Sequence, residues 1–290
     1  MKTLTTIAEM QTAVAGLRGL GQRIGFVPTM GALHEGHLSL VRRSKQETDV
    51  TVVSIFVNPA QFGPHEDYLR YPRDLERDSA LLLREGADLL FAPSVEEMYP
   101  NDFQSYVSVE RVATPFEGQF RPGHFRGVAT VVLKLFNIVQ PHRAYFGQKD
   151  AQQCAVVRQL VRDLSLPVEI IVCPIVREPD GLAMSSRNAY LKPDERQAAL
   201  VLSRSLARAR ELIEAGERRA EVLAQQVRNV IEQEPKARID YVGVADADTF
   251  EARDTLAGRT VIALAVWIGG ARLLDNLIVE ETPAGLQFRA

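Results

Sequence analysis

The sequence predicts an α/β protein, a doubly wound, Rossmann-like parallel sheet followed by a second, smaller α+β domain, and three observations carry that prediction. Short apolar, β-branched runs alternate with helix-length stretches through the first 175 residues, as the crossover units of a parallel sheet require. The run Val50 to Val57 is near-continuously β-branched and apolar, the pattern of a strand buried on both faces. From Pro193 the texture changes to long charged helices followed by strands, which implies a separate unit.

The elements follow in order. Thr5 or Thr6 caps a helix whose apolar positions Ile7, Met10, Val14 and Leu17 keep helical spacing, and Gly19 to Gly21 end it. A strand over Ile24 to Val27, a turn-rich segment Pro28 to Gly36, a helix from about His37 to Glu47 and the strand Val50 to Val57 form one βαβ unit. Helices near Asp74 to Glu85, Val128 to Val139 and Ala151 to Leu164 then alternate with strands Leu89 to Ala92, Ala144 to Phe146 and Val168 to Val172. The second domain has helices Asp194 to Ala215 and Ala220 to Glu232, then strands Ile239 to Val244, Thr260 to Trp267 and Leu273 to Glu280. The polar stretch Arg177 to Asn188 contains Pro179-Asp180-Gly181 and is long enough for a mobile connection. The boundary is therefore placed near Val176, giving domains 1–175 and 176–290, the second acting as a lid.

Composition narrows the function classes. The 34 basic and 37 acidic residues are interspersed and leave a net charge of -3, so no extended positive field awaits a nucleic acid. No apolar run reaches the ~18 residues of a membrane span, and no leader pattern opens the chain. Cys154 and Cys173 lack metal or disulfide spacing and read as small buried residues, so a cytoplasmic location is expected. Positive charge is written as Arg, 28 to 6 over Lys, which makes each Lys more informative.

Ligands of open parallel sheets bind at the carboxyl ends of the strands, and three segments stand out there. After the first strand of the βαβ unit comes Pro28-Thr29-Met30-Gly31-Ala32-Leu33-His34-Glu35-Gly36-His37. A helix N-terminus attracts phosphate through free N–H groups and its dipole, imidazoles add donors, and Gly36 lets backbone approach a ligand. The two His are three apart with Gly between, which is not the HExxH of a zinc helix, and no GxxxxGK[ST] occurs anywhere. Gly19 and Gly21 precede the strand and so fail as a dinucleotide fingerprint; surface histidines of a tight turn remain the plain alternative for His34 and His37. The second segment is Phe146-Gly147-Gln148-Lys149-Asp150, followed by Gln152 and Gln153, where Lys149 can reach a phosphate or stand as a solvated Lys. Lys134, amid Val131 to Phe136, reads instead as a snorkelling residue. The third, Met184-Ser185-Ser186-Arg187-Asn188, offers two hydroxyls and a guanidinium to a polyphosphate, a weak signal by itself.

Together the HxGH segment and the Ser/Arg loop resemble the two signatures of the nucleotidyltransferase superfamily that includes class I aminoacyl-tRNA synthetases. Longer blocks, VPTMGALHEGH (Val27 to His37), SIFVNPAQF (Ser54 to Phe62), RPGHFRGVATVVLKLFNIVQP (Arg121 to Pro141), FGQKDAQQ (Phe146 to Gln153) and VREPDGLAMSSRNAYL (Val176 to Leu191), are similar to the pantoate:beta-alanine ligases over nearly the whole chain. The resemblance implies that ATP and pantoate form a pantoyl adenylate with release of pyrophosphate. The amine of beta-alanine then displaces AMP to give pantothenate, a coenzyme A precursor. It implies ATP contacts from Met30, Gly31, Ala32, Leu33, His34, Glu35, Gly36 and His37, from Gly147, Gln148, Lys149 and Asp150, from Val176, and from Met184, Ser185, Ser186 and Arg187. Catalytic roles fall to His34, His37 and Lys149, with His37 as proton donor; stabilising the departing pyrophosphate is the more physical description. Gln61 and Gln153 are implied as amide clamps for pantoate, Gln61 also lying near beta-alanine. Magnesium is expected on the phosphates with its protein ligands open: Asp74 and Asp78 are candidates to hold it directly or through water, and exposed helix carboxylates are the favoured reading of both. A homodimer is implied too. Two rival readings of the same residues are a transferase that adenylylates a phosphate and a non-catalytic nucleotide sensor.

Overall fold

The computed structural model describes residues 1–283 and 285–289. The chain forms two compact units, the first comprising Met1–Ala113, Arg121–Gly147 and Val156–Cys173, the second Thr114–Phe120, Gln148–Ala155 and Pro174–Ala290. A single cut near Val176 does not express the two short segments, 114–120 and 148–155, that go with the second unit.

In chain order the elements up to residue 173 are β1 (Lys2–Leu4), α1 (Ile7–Gly19), β2 (Ile24–Thr29), α2 (Glu35–Glu47), β3 (Val50–Ile55), α3 (Leu75–Arg84), β4 (Leu89–Phe91), α4 (Val95–Met98), α5 (Glu117–Phe120), α6 (His124–Val139), β5 (Arg143–Gly147), α7 (Ala151–Asp163) and β6 (Glu169–Cys173). Strands β1 to β6 form one parallel sheet in the order β1-β4-β3-β2-β5-β6, the doubly wound arrangement that the alternation predicts. The edge strand β1 is too short for its pattern to register in the sequence, and its pairing with β4 alone defines it. Val27, Leu33, Val41, Val53, Leu82, Leu90 and Tyr145 share one core cluster beneath the carboxyl ends of the central strands.

Two helix starts differ from the sequence reading. Helix α2 begins at Glu35, not His37, because His34 is extended and serves as its N-cap. Helix α6 begins at His124, not Val128, after Gly123 in the left-handed region. The early start of α6 carries its backbone against the tight turn Pro59–Gln61, where a Cβ on Gly127 would lie 2.2 Å from the Ala60 carbonyl oxygen and 2.6 Å from the Gln61 Cα. Lys134 on the same helix lays its ammonium 4.7 Å from the Phe103 ring and 5.7 Å from that of Tyr99, and burial lowers its pKa. It is a ring-capped cation rather than a merely snorkelling one.

The second unit continues with α8 (Pro193–Ala198), α9 (Val201–Glu214), α10 (Ala220–Glu232), β7 (Ala237–Asp246), β8 (Arg259–Ile268), β9 (Ala271–Thr282) and β10 (Gly285–Arg289), the strands forming an antiparallel sheet in the order β10-β9-β8-β7. The single helix expected from Asp194 breaks where the turn tightens, the Leu200 N–H reaching the Gln197 carbonyl and the Leu202 N–H that of Ala199. The edge strand β10 escapes the sequence reading because its five residues alternate only between exposed and half-buried. Leu202, Leu206, Ile213, Leu223, Val227 and Ile231 from α9 and α10 pack on Val242, Ile262, Leu264, Val266 and Leu277 of the sheet. The segment 114–120 joins this unit through half-buried Arg272, whose guanidinium reaches buried Glu117 at 2.7 Å and Asp240 at 2.7 Å. Both cysteines are buried free thiols, and no helix among the described residues is long and apolar enough to cross a membrane.

The close approach at Gly127 gives a stability test. Gly127→Ala should lower the unfolding free energy by about 1–3 kcal/mol, because the added methyl meets backbone that cannot swing aside. A urea midpoint equal to wild type would show that α6 can move off the turn freely.

Candidate active site

Strand order reverses between the neighbours β2 and β5, and a reversal of this kind leaves a crevice at the carboxyl edge of a parallel sheet. From β2 the chain enters the loop Met30 to Leu33. Thr29 anchors the turn, its hydroxyl donating to the Ser54 carbonyl at 2.7 Å and accepting the Gly31 N–H at 3.2 Å. Gly31 (φ 83°) and Ala32 (φ 50°) are both left-handed, which reverses the chain sharply before the helix. The Leu33 N–H then donates to Asp78 Oδ1 at 2.9 Å, from α3. Asp78 is only 1% exposed, so the expectation of a surface carboxylate fails; the periodic pattern of α3 places a charge on its inward face, where loop N–H groups need an acceptor. Burial raises the Asp78 pKa, while the N–H groups of Leu33 and Ala32 and the Arg77 guanidinium oppose the rise. Asp74, by contrast, caps α3 by accepting the Arg77 N–H at 2.9 Å. A cavity of about 250 Å³ beside the loop is lined by Met30, Gly31, Phe56, Tyr68, Arg73 and Asp78, among others.

His34 and His37 cap the start of α2 reciprocally. The Gly36 N–H donates to His34 Nδ1 at 3.2 Å, the His34 N–H donates to His37 Nδ1 at 3.4 Å, and the ring centroids lie 4.1 Å apart. A ring nitrogen that accepts an N–H needs its lone pair, so both histidines carry their proton on Nε2. The cap thus converts two imidazoles into Nε2–H donors of fixed orientation. Glu35, in the first turn, pairs with Arg42 on the same helix.

Gln61 ends the turn that α6 braces, and it is buried. Its Oε1 accepts from Asn58 Nδ2 at 3.0 Å and its Nε2 lies 3.1 Å from the Met30 sulfur. Asn58 is in turn held by the Tyr99 hydroxyl, donating at 2.8 Å, and by its own donation to the Gly127 carbonyl at 3.1 Å. The His124 Nδ1–H donates to the Gln61 carbonyl at 2.9 Å.

In the second unit, the tight turn Gln148–Asp150 follows β5 directly in the chain and leads into α7. Lys149 is mostly covered, its ammonium 3.6 Å from Asp150 Oδ1. Gln148 is buried, and its amide is committed to Asn276 Oδ1 (3.2 Å) and the Arg289 carbonyl (2.9 Å). The two glutamines that follow differ in use. The Gln152 side chain accepts the Glu117 N–H at 3.0 Å and donates to the Pro115 carbonyl at 2.7 Å, whereas the side chain of half-buried Gln153 makes no hydrogen bond among the described residues.

The expected loose connection at Arg177 to Asn188 is a tied hairpin. Arg177 bridges to Ala183, the Met184 N–H donates to the Val176 carbonyl at 2.9 Å, and the Arg177 guanidinium forks onto Asp275 at 2.8 and 2.9 Å. Arg196 holds Glu178 and Asp180, each at 2.8 Å. Ser185 caps the short turn Ser186–Tyr190, its oxygen accepting the Arg187 N–H at 3.2 Å, which leaves the hydroxyl proton to donate.

Asn58, Asp275 and Asn276 support these segments without having stood out in the sequence, and Asp78 supports them from a position read there as exposed. Asn58 and the Asp275-Asn276 pair are polar residues inside apolar runs, which is the one signal that marks them.

Known proteins match the chain along almost its whole length. A family model described as Pantoate-beta-alanine ligase matches residues 2–278. A pantothenate synthetase of Acetivibrio thermocellus is 58% identical over 280 residues, 97% of this chain and 100% of that protein. One from Roseiflexus sp. is 60% identical over the same shares. The crystal structure of pantothenate synthetase from Thermus thermophilus aligns with a TM-score of 0.91 at 49% identity, covering 96% of this chain and 99% of that one. The pantoate-beta-alanine ligase of Francisella tularensis, solved with beta-gamma ATP and beta-alanine, aligns at 0.77 and 37%, covering 95% and 97%. A family model spanning almost the entire chain and relatives of this identity leave one conclusion: the chain belongs to the pantoate-beta-alanine ligase family.

Proposed function

We propose how the residues described above divide the work of the family reaction, the ATP-dependent condensation of pantoate with beta-alanine. The observation that carries the reading is the reciprocal His34–His37 cap at the switch point of a parallel sheet. In the first step the pantoate carboxylate attacks the α-phosphate of ATP. That nucleophile is already ionised, so the step needs in-line positioning and stabilisation of charge on phosphoryl oxygens more than it needs a base. In this reading His34 and His37 direct their Nε2–H donors at those oxygens, and Lys149 adds a mobile positive charge. His37 releases its proton to pyrophosphate only if the leaving group requires one. The backbone of Met30 to His37, the Gly147 to Asp150 segment, Val176, and Met184 to Arg187 hold the nucleotide, with Ser185, Ser186 and Arg187 donating to phosphates. Gln61 and Gln153 clamp the hydroxyls and carboxylate of pantoate, since an amide both donates and accepts. In the second step the beta-alanine amine attacks the acyl carbon of the adenylate and AMP leaves.

Among the described residues no group of three or more His, Cys, Asp or Glu is placed to hold a metal ion; Asp74 caps a helix, and Asp78 Oδ1 accepts the Leu33 N–H. Magnesium is assigned to the ATP phosphates, its protein ligands left open. The reading is completed by a cytoplasmic location, expected from the two unpaired cysteines, and by a homodimer, carried over from the family resemblance and open to test by sedimentation.

Lys149→Ala should lower kcat for adenylate formation about 100- to 1,000-fold, the loss of one preorganised donor, with a smaller effect on ATP affinity. A rate within about threefold of wild type would remove Lys149 from the mechanism. Radiolabelled pyrophosphate should exchange into ATP with pantoate present and beta-alanine absent. Neither a nucleotide sensor nor a phosphate-adenylylating transferase supports that exchange, and exchange seen only after beta-alanine is added would contradict the two-step order. Amide hydrogen exchange over Ser185 to Asn188 should slow on saturation with ATP; equal exchange in both states would leave Ser185, Ser186 and Arg187 without a phosphate role.

A further inference from the structure

In the second unit, β9 carries two adjacent buried polar residues, Asp275 and Asn276, each only 2% exposed, in a stretch of strand buried on both faces. A buried strand position filled by an apolar residue would need no hydrogen-bond partner, so a polar side chain here must have its groups satisfied. Asn276 has every group satisfied. Its Nδ2 donates to two successive carbonyls, Gln148 at 3.0 Å and Lys149 at 3.1 Å. Its Oδ1 accepts from Gln148 Nε2 at 3.2 Å, and its own N–H donates to Asp275 Oδ1 at 2.8 Å. Asp275 is fixed in turn by the Arg177 fork. Only a primary amide can donate to two carbonyls and accept from a third group at one site. A carboxylate would face both carbonyls with like partial charge, and an aliphatic side chain would leave them without this donor.

We propose that Asn276 is a positioning residue for the adenylation step: by gripping the carbonyls of Gln148 and Lys149 it sets the backbone from which the Lys149 side chain projects. The inference rests on the assignment of Lys149 as a donor to the phosphates. The Lys149 side chain has four rotatable carbons of its own, so the direction in which its ammonium can reach is set first by the turn that carries it. Asn276 acts through Lys149 and touches no substrate in this account.

A double-mutant cycle tests it, with pantoate-dependent pyrophosphate exchange as the readout and the thermal midpoint of each variant as a control. Asn276→Ala should lower the maximal exchange rate about 10- to 100-fold while moving the KM for pantoate less than about threefold. In the Lys149→Ala background the same substitution should change the residual rate by less than about twofold, because the group it positions is gone. An equal fold-loss in both backgrounds would overturn the inference, since a general loss of structure multiplies through whether or not Lys149 is present. If Lys149→Ala alone leaves the rate unchanged, the Lys149 assignment fails and takes this inference with it; a strongly impaired Lys149→Ala with a multiplicative cycle refutes this inference alone. Should Asn276→Ala not fold, the isosteric Asn276→Asp, which keeps the acceptor and replaces the double donor, enters the same cycle. If neither variant folds, Asn276 is a determinant of folding and the positioning role falls.

Discussion

In a fully parallel sheet each strand must be followed by a crossover, and where crossovers on either side of one line run in opposite directions the loops part and leave backbone accessible at the carboxyl edge. That line falls between β2 and β5 here. The Met30 to His37 segment leaves the sheet from one of the two strands, and the other ends at Gly147. The core beneath, with Val27, Val53 and Tyr145 in a single cluster, keeps the edge from which they leave rigid.

At that edge orientation is set by hydrogen bonds rather than by charge. The Gly31–Ala32 pair turns the chain in the left-handed sense, a conformation that costs Ala about 1–2 kcal/mol by itself and persists where surrounding contacts over-determine it. Thr29 holds one side of the turn and buried Asp78 the other. The helix that follows starts with two imidazoles capping each other, so the N–H groups left over at a helix start are partly satisfied by the same rings that present donors outward. Fixing the tautomer by local backbone N–H groups keeps the donors independent of any distant charge.

The second unit relies on buried polar braces instead. Arg177 on Asp275, Arg272 between Glu117 and Asp240, and Asn276 on two carbonyls each have a buried partner, Asp275, Glu117 and Asn276 itself. Removing one member of a buried ion pair typically costs about 3–5 kcal/mol, because the other is left charged and unpaired, so such braces hold one geometry or fail together. The first of them ties the Val176 to Asn188 hairpin to the antiparallel sheet, so a polar, Pro- and Gly-containing stretch that reads as a loose connection carries long-range hydrogen bonds.

Periodicity along the chain was enough to determine the parallel sheet and the later α+β unit, the lack of metal or disulfide spacing marked Cys154 and Cys173 as buried residues, and blocks such as VPTMGALHEGH and FGQKDAQQ carried the resemblance to the family. Each depends on neighbours in sequence, where spacing of side chains and turn chemistry act directly. Tertiary structure alone decided that Asp78 is buried beneath a loop 45 residues away, that Gly127 must lack a side chain because Ala60 lies against it, that Gln148 is committed while Gln153 is not, and that β10 and β1 exist as edge strands. Asn276 meets Gln148 across 128 residues of chain, and what a polar side chain does at such a distance is set by which surfaces pack together, a quantity that neither propensity nor spacing contains.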